Sequence, residues 1–429
     1  MRVGQAWTDI TPSEVLTVAG QMHVRYGQYT HDPLTVNAVV FADGELRVAL
    51  VSCDLVGLPH DFVRKTQIRC ERELGIPADS VVIACTHTHV APSTRDFLPG
   101  EVSPSFMQSV EDAIVASVGR ALGDLEEVQL FAGSGYLEQM GFNRRGMHKD
   151  GSADMYYGSW NGDFAGLEGP RDGEVTVLFA VRSNGRPKVV VPSFSTHPNS
   201  VEGESFYSAD VVGAVRRFLR RVFGRNLGVV YLTGAAGNTA PTDLEKGKQE
   251  RSNWRGERGL LRSGRYLGAE IVKIMEGELR PMQDPVLRLA QARIPIPIRE
   301  YPADFDYTKH WDNEYFRRAK EEWPRIIAKE SPVEVRLNVI RVGDAVICTN
   351  PAELYVEFGL DIKHGSPARV TLISELTDGS VGYVATREAH KHGGYSAWPP
   401  TSFLDTSAGY TMVEATARLL ADAFNGPAP

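Results

Sequence analysis

Two histidines stand two residues apart in Thr86-His87-Thr88-His89, directly after the apolar run Val81 to Cys85. In an extended chain, residues i and i+2 project to the same side, so His87 and His89 share one face and Thr86 and Thr88 take the other. Two imidazoles at a strand end suit a metal site, or one metal ligand beside a general base. Without such a role they are two solvated surface histidines. Ser195-Thr196-His197-Pro198-Asn199 repeats the arrangement after a second apolar run, with the proline holding His197 extended. Strand ends are where open sheets tend to place their sites. A third strand-like run, Ala345 to Thr349, leads into Asn350-Pro351-Ala352-Glu353. Asn at N-cap, Pro at N1 and Glu at N3 match a capping box, so Glu353 taken alone reads as the cap of a helix over Leu354 to Ile362.

The segment from Gly382 to Tyr395 holds a second His-x-His, His390 and His392, between Tyr383 and Tyr395. Residue types alone make the two histidines the metal candidates there, ahead of either tyrosine, with a solvated loop pair as the alternative. Gly234-Ala235-Ala236-Gly237-Asn238-Thr239 has neither the Gly-Lys-Ser/Thr ending of a phosphate loop nor G-x-G-x-x-G spacing, which sets nucleotide binding aside. Cys53, Cys70, Cys85 and Cys348 show no C-x-x-C spacing, and they read as reduced, structural residues.

The elements that must position these residues alternate along the chain. Leu34 to Phe41 and Leu46 to Cys53 flank an Asp43-Gly44 turn and predict a hairpin. An amphipathic helix over Asp61 to Leu74 and the strand Val81 to Cys85 follow, then a helix from Ser105 to Leu122 and a strand from Val128 to Ala132. Gly141 to Asp172 has no period and reads as one long loop, of the kind that more often carries function. Glu174 to Arg182 and Lys188 to Ser195 predict a second hairpin. Asp210 to Phe223 is a helix with Val211, Val215, Phe218 and Val222 on its core face and Arg216, Arg217, Arg220 and Arg221 on a solvated one; a membrane-surface helix is the other reading. A strand from Gly228 to Thr233 and a helix from Gly256 to Gly277 come next. Strands near Val286 to Ile296, Val333 to Val342 and Arg369 to Ile373, a charged segment from Asp304 to Lys329, a glycine-rich loop to Pro400 and a helix from Val413 to Ala423 complete the chain. No repeat or linker divides it. The prediction is an α/β or α+β protein, one large domain with more than one mixed sheet flanked by helices and a metal site at strand ends.

Composition narrows the function. The 429 residues carry 46 Lys plus Arg against 54 Asp plus Glu, the opposite of what a phosphate-backbone binder needs, so nucleic acid is not an expected partner. No apolar run approaches the roughly 20 residues of a membrane span. The start, Met1 to Asp9, has no signal-peptide stretch, which points to a cytoplasmic protein, or a secreted one if a leader has been removed.

Five separated segments, taken together, resemble the neutral/alkaline ceramidases, which are zinc amidases. They are Thr86-His87-Thr88-His89, Phe142-Asn143-Arg144, Thr196-His197-Pro198, Pro351-Ala352-Glu353-Leu354, and Gly382-Tyr383-Val384 with Tyr395 twelve positions on. The resemblance implies that His87, His197, Glu353 and Tyr383 bind one zinc ion, that His89 is the acid/base residue, and that Arg144 and Tyr395 contact the scissile amide. It therefore prefers Tyr383 to His390 and His392 and turns Glu353 from cap to ligand. The implied activity is hydrolysis of an N-acyl bond of a lipid or small molecule by attack of a zinc-bound water. Asp54 and Asp210, near these motifs in sequence, are expected to orient the histidines. Val90-Ala91-Pro92-Ser93 and Gly237-Asn238-Thr239-Ala240-Pro241 depart from the family's Gly-rich and Gly-Asp-Thr-Ser-Pro motifs, and the chain ends where the catalytic domain should close, with no immunoglobulin-like domain expected after it. A hydrolase is thus better supported than ceramide itself. The alternatives are a zinc esterase, lactonase or N-acetyl-sugar deacetylase, and a non-catalytic protein that keeps the metal for structure. Structural zinc normally has four Cys or His ligands, which disfavours the last.

Overall fold

Alternation along the strands determines the architecture. In Thr35–Asp43, Val39 and Phe41 face one way and Val36, Ala38 and Val40 the other, and all five are buried. The same two-sided burial recurs in Pro187–Phe194, where Val189 and Val191 oppose Val190, and in Val333–Val342, where Ile340 and Val342 oppose Val335, Leu337 and Val339. Strands apolar on both faces need cover on both. In this computed structural model, which describes residues 1–95, 100–300 and 314–425, three sheets turn one face each toward a shared central core and cover the other face with helices.

The first sheet has the order Val81–Cys85, Leu46–Cys53, Thr35–Asp43, Arg2–Asp9 and Glu126–Glu127, with His60–Leu74 and Pro104–Gly123 on its outer face. Gly44, at φ 57°, makes the turn of its hairpin. The second is built on Pro187–Phe194, Glu174–Val181 and Gln129–Tyr136, covered by Asp210–Phe223 and Gly256–Met275. The third runs Leu287–Ile296, Val333–Val342, Ala345–Thr349 and Val370–Ser374, covered by Val356–Gly365 and Ala408–Asn425. Each sheet mixes antiparallel hairpins with a parallel pair. The domain is therefore single, with several mixed sheets, as its interspersed strands and helices suggest.

The three sheets are laced together where these parallel strands end. Cys85 N–H donates to Leu376 O (3.1 Å) and Asp378 N–H to Ile83 O (2.8 Å), joining the first sheet to the third. Glu375 N–H donates to Thr233 O (2.9 Å), and the Thr233 hydroxyl to Thr86 O (2.9 Å), which ties in the second.

Several local expectations need correction. The interval from Gly141 to Asp172 is not one loop: Arg145–His148, Ala153–Met155 and Phe164–Leu167 form a small antiparallel sheet, and Phe142–Asn143 pairs with Thr239–Ala240. These strands are too short to show a period. The run Gly228 to Thr233 is split into Gly228–Val229 and Leu232–Thr233. No capping box forms at Asn350, because the helix begins at Val356 with Tyr355 as its N-cap, and Glu353 lies in a two-residue strand. Residues 304–313 of the charged segment lie outside the described residues; Glu314–Glu330 is a helix. All four cysteines are free and buried. Among the described residues no helix is long and apolar enough to cross a membrane.

Arg216 is not on a solvated face. It is buried and donates to both oxygens of the buried Asp54, at 2.8 and 3.0 Å, joining the helix over the second sheet to the first sheet. Removing one partner of such a pair leaves an uncompensated buried charge, at a cost of about 3–5 kcal/mol. Arg216→Met should lower the free energy of urea unfolding by about that amount, and Asp54→Asn combined with Arg216→Met should lose less than the single change. Unchanged stability of Arg216→Met would show that the pair holds nothing.

Candidate metal centre

One strand of each sheet delivers a piece of the site. After Val81–Cys85 the chain leaves the sheet: Thr86 N–H donates to Cys53 O and His87 N–H to Leu55 O, at 2.8 and 2.9 Å. His87 then takes φ 68°, a left-handed conformation uncommon for a residue with a side chain. His87 and His89 do converge, with Nε2 atoms 3.1 Å apart, but through this kink rather than by strand alternation. After Pro187–Phe194, His197 brings its Nε2 to 3.0 Å from that of His87. After Ala345–Thr349, Glu353 places Oε2 3.2 Å from His87 Nε2 and 3.7 Å from His197 Nε2. Glu353 pairs in parallel with Tyr383, so the two side chains are register neighbours.

The second nitrogens show how the rings are held. His87 Nδ1 lies 2.7 Å from Val56 O and His197 Nδ1 2.9 Å from Ala236 O, and a carbonyl can only accept, so both Nδ1 atoms carry the proton. Asp54 and Asp210 do not orient these histidines. Asp54 is engaged by Arg216 and Thr35, and Asp210 accepts from the N–H groups of Ser200 and Val201. His89 differs, with its Nδ1 3.3 Å from Glu202 Oε2, and Glu202 in turn is paired with Arg255. Gly20, at φ 93°, packs on His89 so closely that a Cβ there would collide with the imidazole.

Burial pushes His197 well below its ordinary pKa, with Arg144 and the neighbouring histidines adding to the shift, and burial also lowers His89. Burial opposes the charge of Glu353 as well, but a positive charge at His87, with the Tyr383 hydroxyl, outweighs it and holds the carboxyl at about 2, so the carboxylate form goes with a cation at the centre. Burial, with Glu353 alongside, pushes the Tyr383 phenol well up, so a charge on Tyr383 depends on a cation at the centre. The Tyr395 phenol is raised by the same two causes.

These donors fit a metal ion. With Nδ1 protonated, His87 and His197 bring unprotonated Nε2 atoms to 3.0 Å from each other in a buried place, with His89 Nε2 3.1 Å from the first and Arg144 Nη2 3.3 Å from the second, an arrangement that a cation between them would favour. For Zn–N bonds of about 2.0–2.1 Å, tetrahedral coordination sets neighbouring nitrogens about 3.3 Å apart. Glu353 Oε2, buried and without a hydrogen-bond partner, is a further anionic donor at the same point. His87, His89 and His197 form a cluster able to hold a metal.

His87, His89, Glu353, Tyr383 and Tyr395 line one cavity of about 260 Å³. Arg144 lies behind it and does not line it: Nη2 is 3.2 Å from the Tyr383 hydroxyl, 3.3 Å from His197 Nε2 and 2.8 Å from Gly237 O. His390 and His392 are elsewhere, His390 against Arg299 and Ala397 O, His392 against Glu168. Residue-by-residue reading missed Glu202, five positions after His197, and Arg95, six after His89, because neither stands in a recognisable motif.

The fold is that of the ceramidases. Solved structures with this architecture include the neutral ceramidase from Pseudomonas aeruginosa, with a TM-score of 0.77 and 19% identity over 100% of this chain and 75% of that one. A structure described as ceramidase complexed with C2 matches with a TM-score of 0.74 and 17% identity over 100% of this chain and 76% of its own. No protein-family model and no curated protein matches the sequence.

Native mass spectrometry should find one divalent ion per chain, lost on chelation. His197→Ala should weaken its binding by more than the roughly 10–100-fold that outer-shell changes cost. Equal metal content in wild type and His197→Ala would rule out the site.

Proposed function

We propose that the protein is a zinc-dependent hydrolase of an amide bond, ceramidase-like in chemistry, with His87, His197, Glu353 and Tyr383 holding the metal. The observation that carries this reading is the convergence of neutral imidazole nitrogens and the Glu353 carboxylate on the floor of a cavity. Two histidines and a carboxylate are the protein ligands usual in hydrolytic zinc sites, where structural sites are closed by Cys and His. When bound, the metal polarises a carbonyl oxygen and lowers the pKa of water.

The remaining work falls to the chain's own side chains. His89 is assigned the proton transfers because its Nδ1 faces Glu202, a carboxylate that stabilises the imidazolium, whereas the Nδ1 atoms of His87 and His197 are committed to carbonyls. In hydrolysis water adds to the carbonyl carbon and the amine leaves; His89 takes a proton from the water and returns it to the amine nitrogen. Tyr395 remains a phenol and donates to the developing oxyanion. Arg144, bonded to the Tyr383 hydroxyl, fixes that phenol and adds positive charge behind it, in place of the amide contact that the family resemblance implies. Residues from His87 to Tyr383 then act as one catalytic unit, and this chemistry does not require the cytoplasmic setting suggested by the sequence.

The cavity volume favours a second reading within the same chemistry. At about 260 Å³ it lies below the ~300–1,000 Å³ usual for drug-sized ligands, which suits a small ester, lactone or N-acetyl sugar better than a sphingolipid. Turnover of a long-chain N-acyl sphingosine against short acyl amides and esters separates the two.

His89→Ala and Tyr395→Phe should each lower kcat by about 10²–10³-fold while metal content stays at one per chain. Full turnover by chelated protein, or no hydrolysis of any acyl substrate in the metal-loaded state, would reject the reading.

A further inference from the structure

The other arginines around the site spend their donors on carboxylates or main-chain carbonyls. Arg255 is paired with Glu202 and Arg145 with Glu168, while the buried Arg25 and Arg144 donate to carbonyl oxygens. Among the described residues Arg95, half-buried at the cavity wall, has neither kind of partner. Its guanidinium donates to the Ser380 hydroxyl, its Nε is buried with no partner, and it forms no ion pair among the described residues. A guanidinium has five N–H donors in a fixed planar fork, so most of this one has no partner among the described residues. Arg95 follows His89 by six residues and Ser380 precedes Tyr383 by three, so their bond joins the two loops that carry the site, at the cavity wall. Two carboxylates also line the cavity: that of Glu353 faces the histidines and is committed to the metal in the proposed function, and Glu330 is an exposed residue at the end of the helix Glu314–Glu330.

The rest of the wall is of another kind. Met22, Trp323, Ile326 and Phe403 give it an apolar side. A substrate that satisfies both sides has a hydrocarbon portion and an anion. An uncharged lipid amide such as ceramide offers the Arg95 fork hydroxyl and carbonyl acceptors but no anion, and leaves a partly desolvated cation without a counter-charge.

We propose that the substrate is an N-acyl compound bearing a carboxylate, of the N-acyl amino acid type, whose carboxylate is received by Arg95 and Ser380 while the acyl chain lies against Trp323, Ile326 and Phe403. Carboxylate and guanidinium match as planar, bidentate partners, so Arg95 is a specificity residue that lysine only partly replaces. This rests on the hydrolase reading for the bond that breaks, but not for the anion that binds.

The experiment compares N-hexanoyl amino acids having a free α-carboxylate with the same compounds as primary carboxamides, in metal-loaded wild type, Arg95→Gln and Arg95→Lys. The wild type should prefer the acids by at least about 10-fold in kcat/KM, in line with charge-assisted hydrogen bonds of about 1.5–3 kcal/mol. Arg95→Gln should remove the preference and Arg95→Lys should keep part of it. Calorimetric titration of metal-free protein with the same acids should show binding that Arg95→Gln weakens by a similar factor. Equal use of acids and carboxamides by the wild type, or a preference unchanged in Arg95→Gln, overturns the proposal and leaves the hydrolase reading standing. If neither compound is hydrolysed, the titration decides: binding lost in Arg95→Gln supports the anion site even though the hydrolase reading has failed, and absent or unchanged binding overturns it.

Discussion

Two unprotonated imidazole nitrogens held 3.0 Å apart among buried side chains repel each other, and the chain around them is organised to keep them there. Main-chain hydrogen bonds do this work. Thr86 and His87 donate back into the Leu46–Cys53 strand and the residues just beyond it, Cys85 is tied to Leu376, and the Thr233 hydroxyl closes the ring on Thr86 O. The first two hold the turn after Val81–Cys85 to its own sheet, and the last two link it to the chain after Val370–Ser374 and to Leu232–Thr233 of the other sheets. The positive φ of His87 is a strain that only such a lattice sustains, and it turns the ring inward. A metal ion would relieve the repulsion that the fold has imposed.

The three-sheet arrangement explains why residues so distant in sequence can meet. With both faces of every sheet buried, the loops at the strand ends have little surface available and crowd toward the common axis. The first sheet supplies His87 and His89, the second His197, and the third Glu353, with Tyr383 drawn alongside by the parallel pairing of Glu353 with Tyr383. A site assembled this way has no local precursor. The full set of His87, His197, Glu353 and Tyr383 exists only where all three sheets are docked.

How much of this is readable in the sequence depends on the range of the interactions. Helices such as Asp210–Phe223 and strands such as Val81–Cys85 follow from local periodicity, and the paired histidines signal their chemistry by type and spacing. Glu353 is locally indistinguishable from a helix cap, because Asn-Pro-x-Glu satisfies both descriptions; what decides is a strand partner at residue 383. His390 and His392 look better than Tyr383 on residue type, yet they follow it into a short helix that faces Arg299 and Glu168. Arg216 reads as solvated because its partner, Asp54, is 162 residues away. The carbonyls of Val56 and Ala236 that fix the ring tautomers have no signature at all, since any residue can supply a carbonyl.

That last point bears on how such a protein can diverge. The imidazoles of His87 and His197 are braced by main-chain oxygens, not by carboxylate side chains. No point substitution can delete a carbonyl, so mutational drift reaches the support of the histidine cluster only by shifting the backbone, while the cavity wall, which includes Met22, Arg95, Ser380 and Trp323, lies open to single-residue change. The cluster and the wall are thereby separated in evolutionary terms. A lineage can replace its wall many times over and keep the same histidine arrangement beneath it.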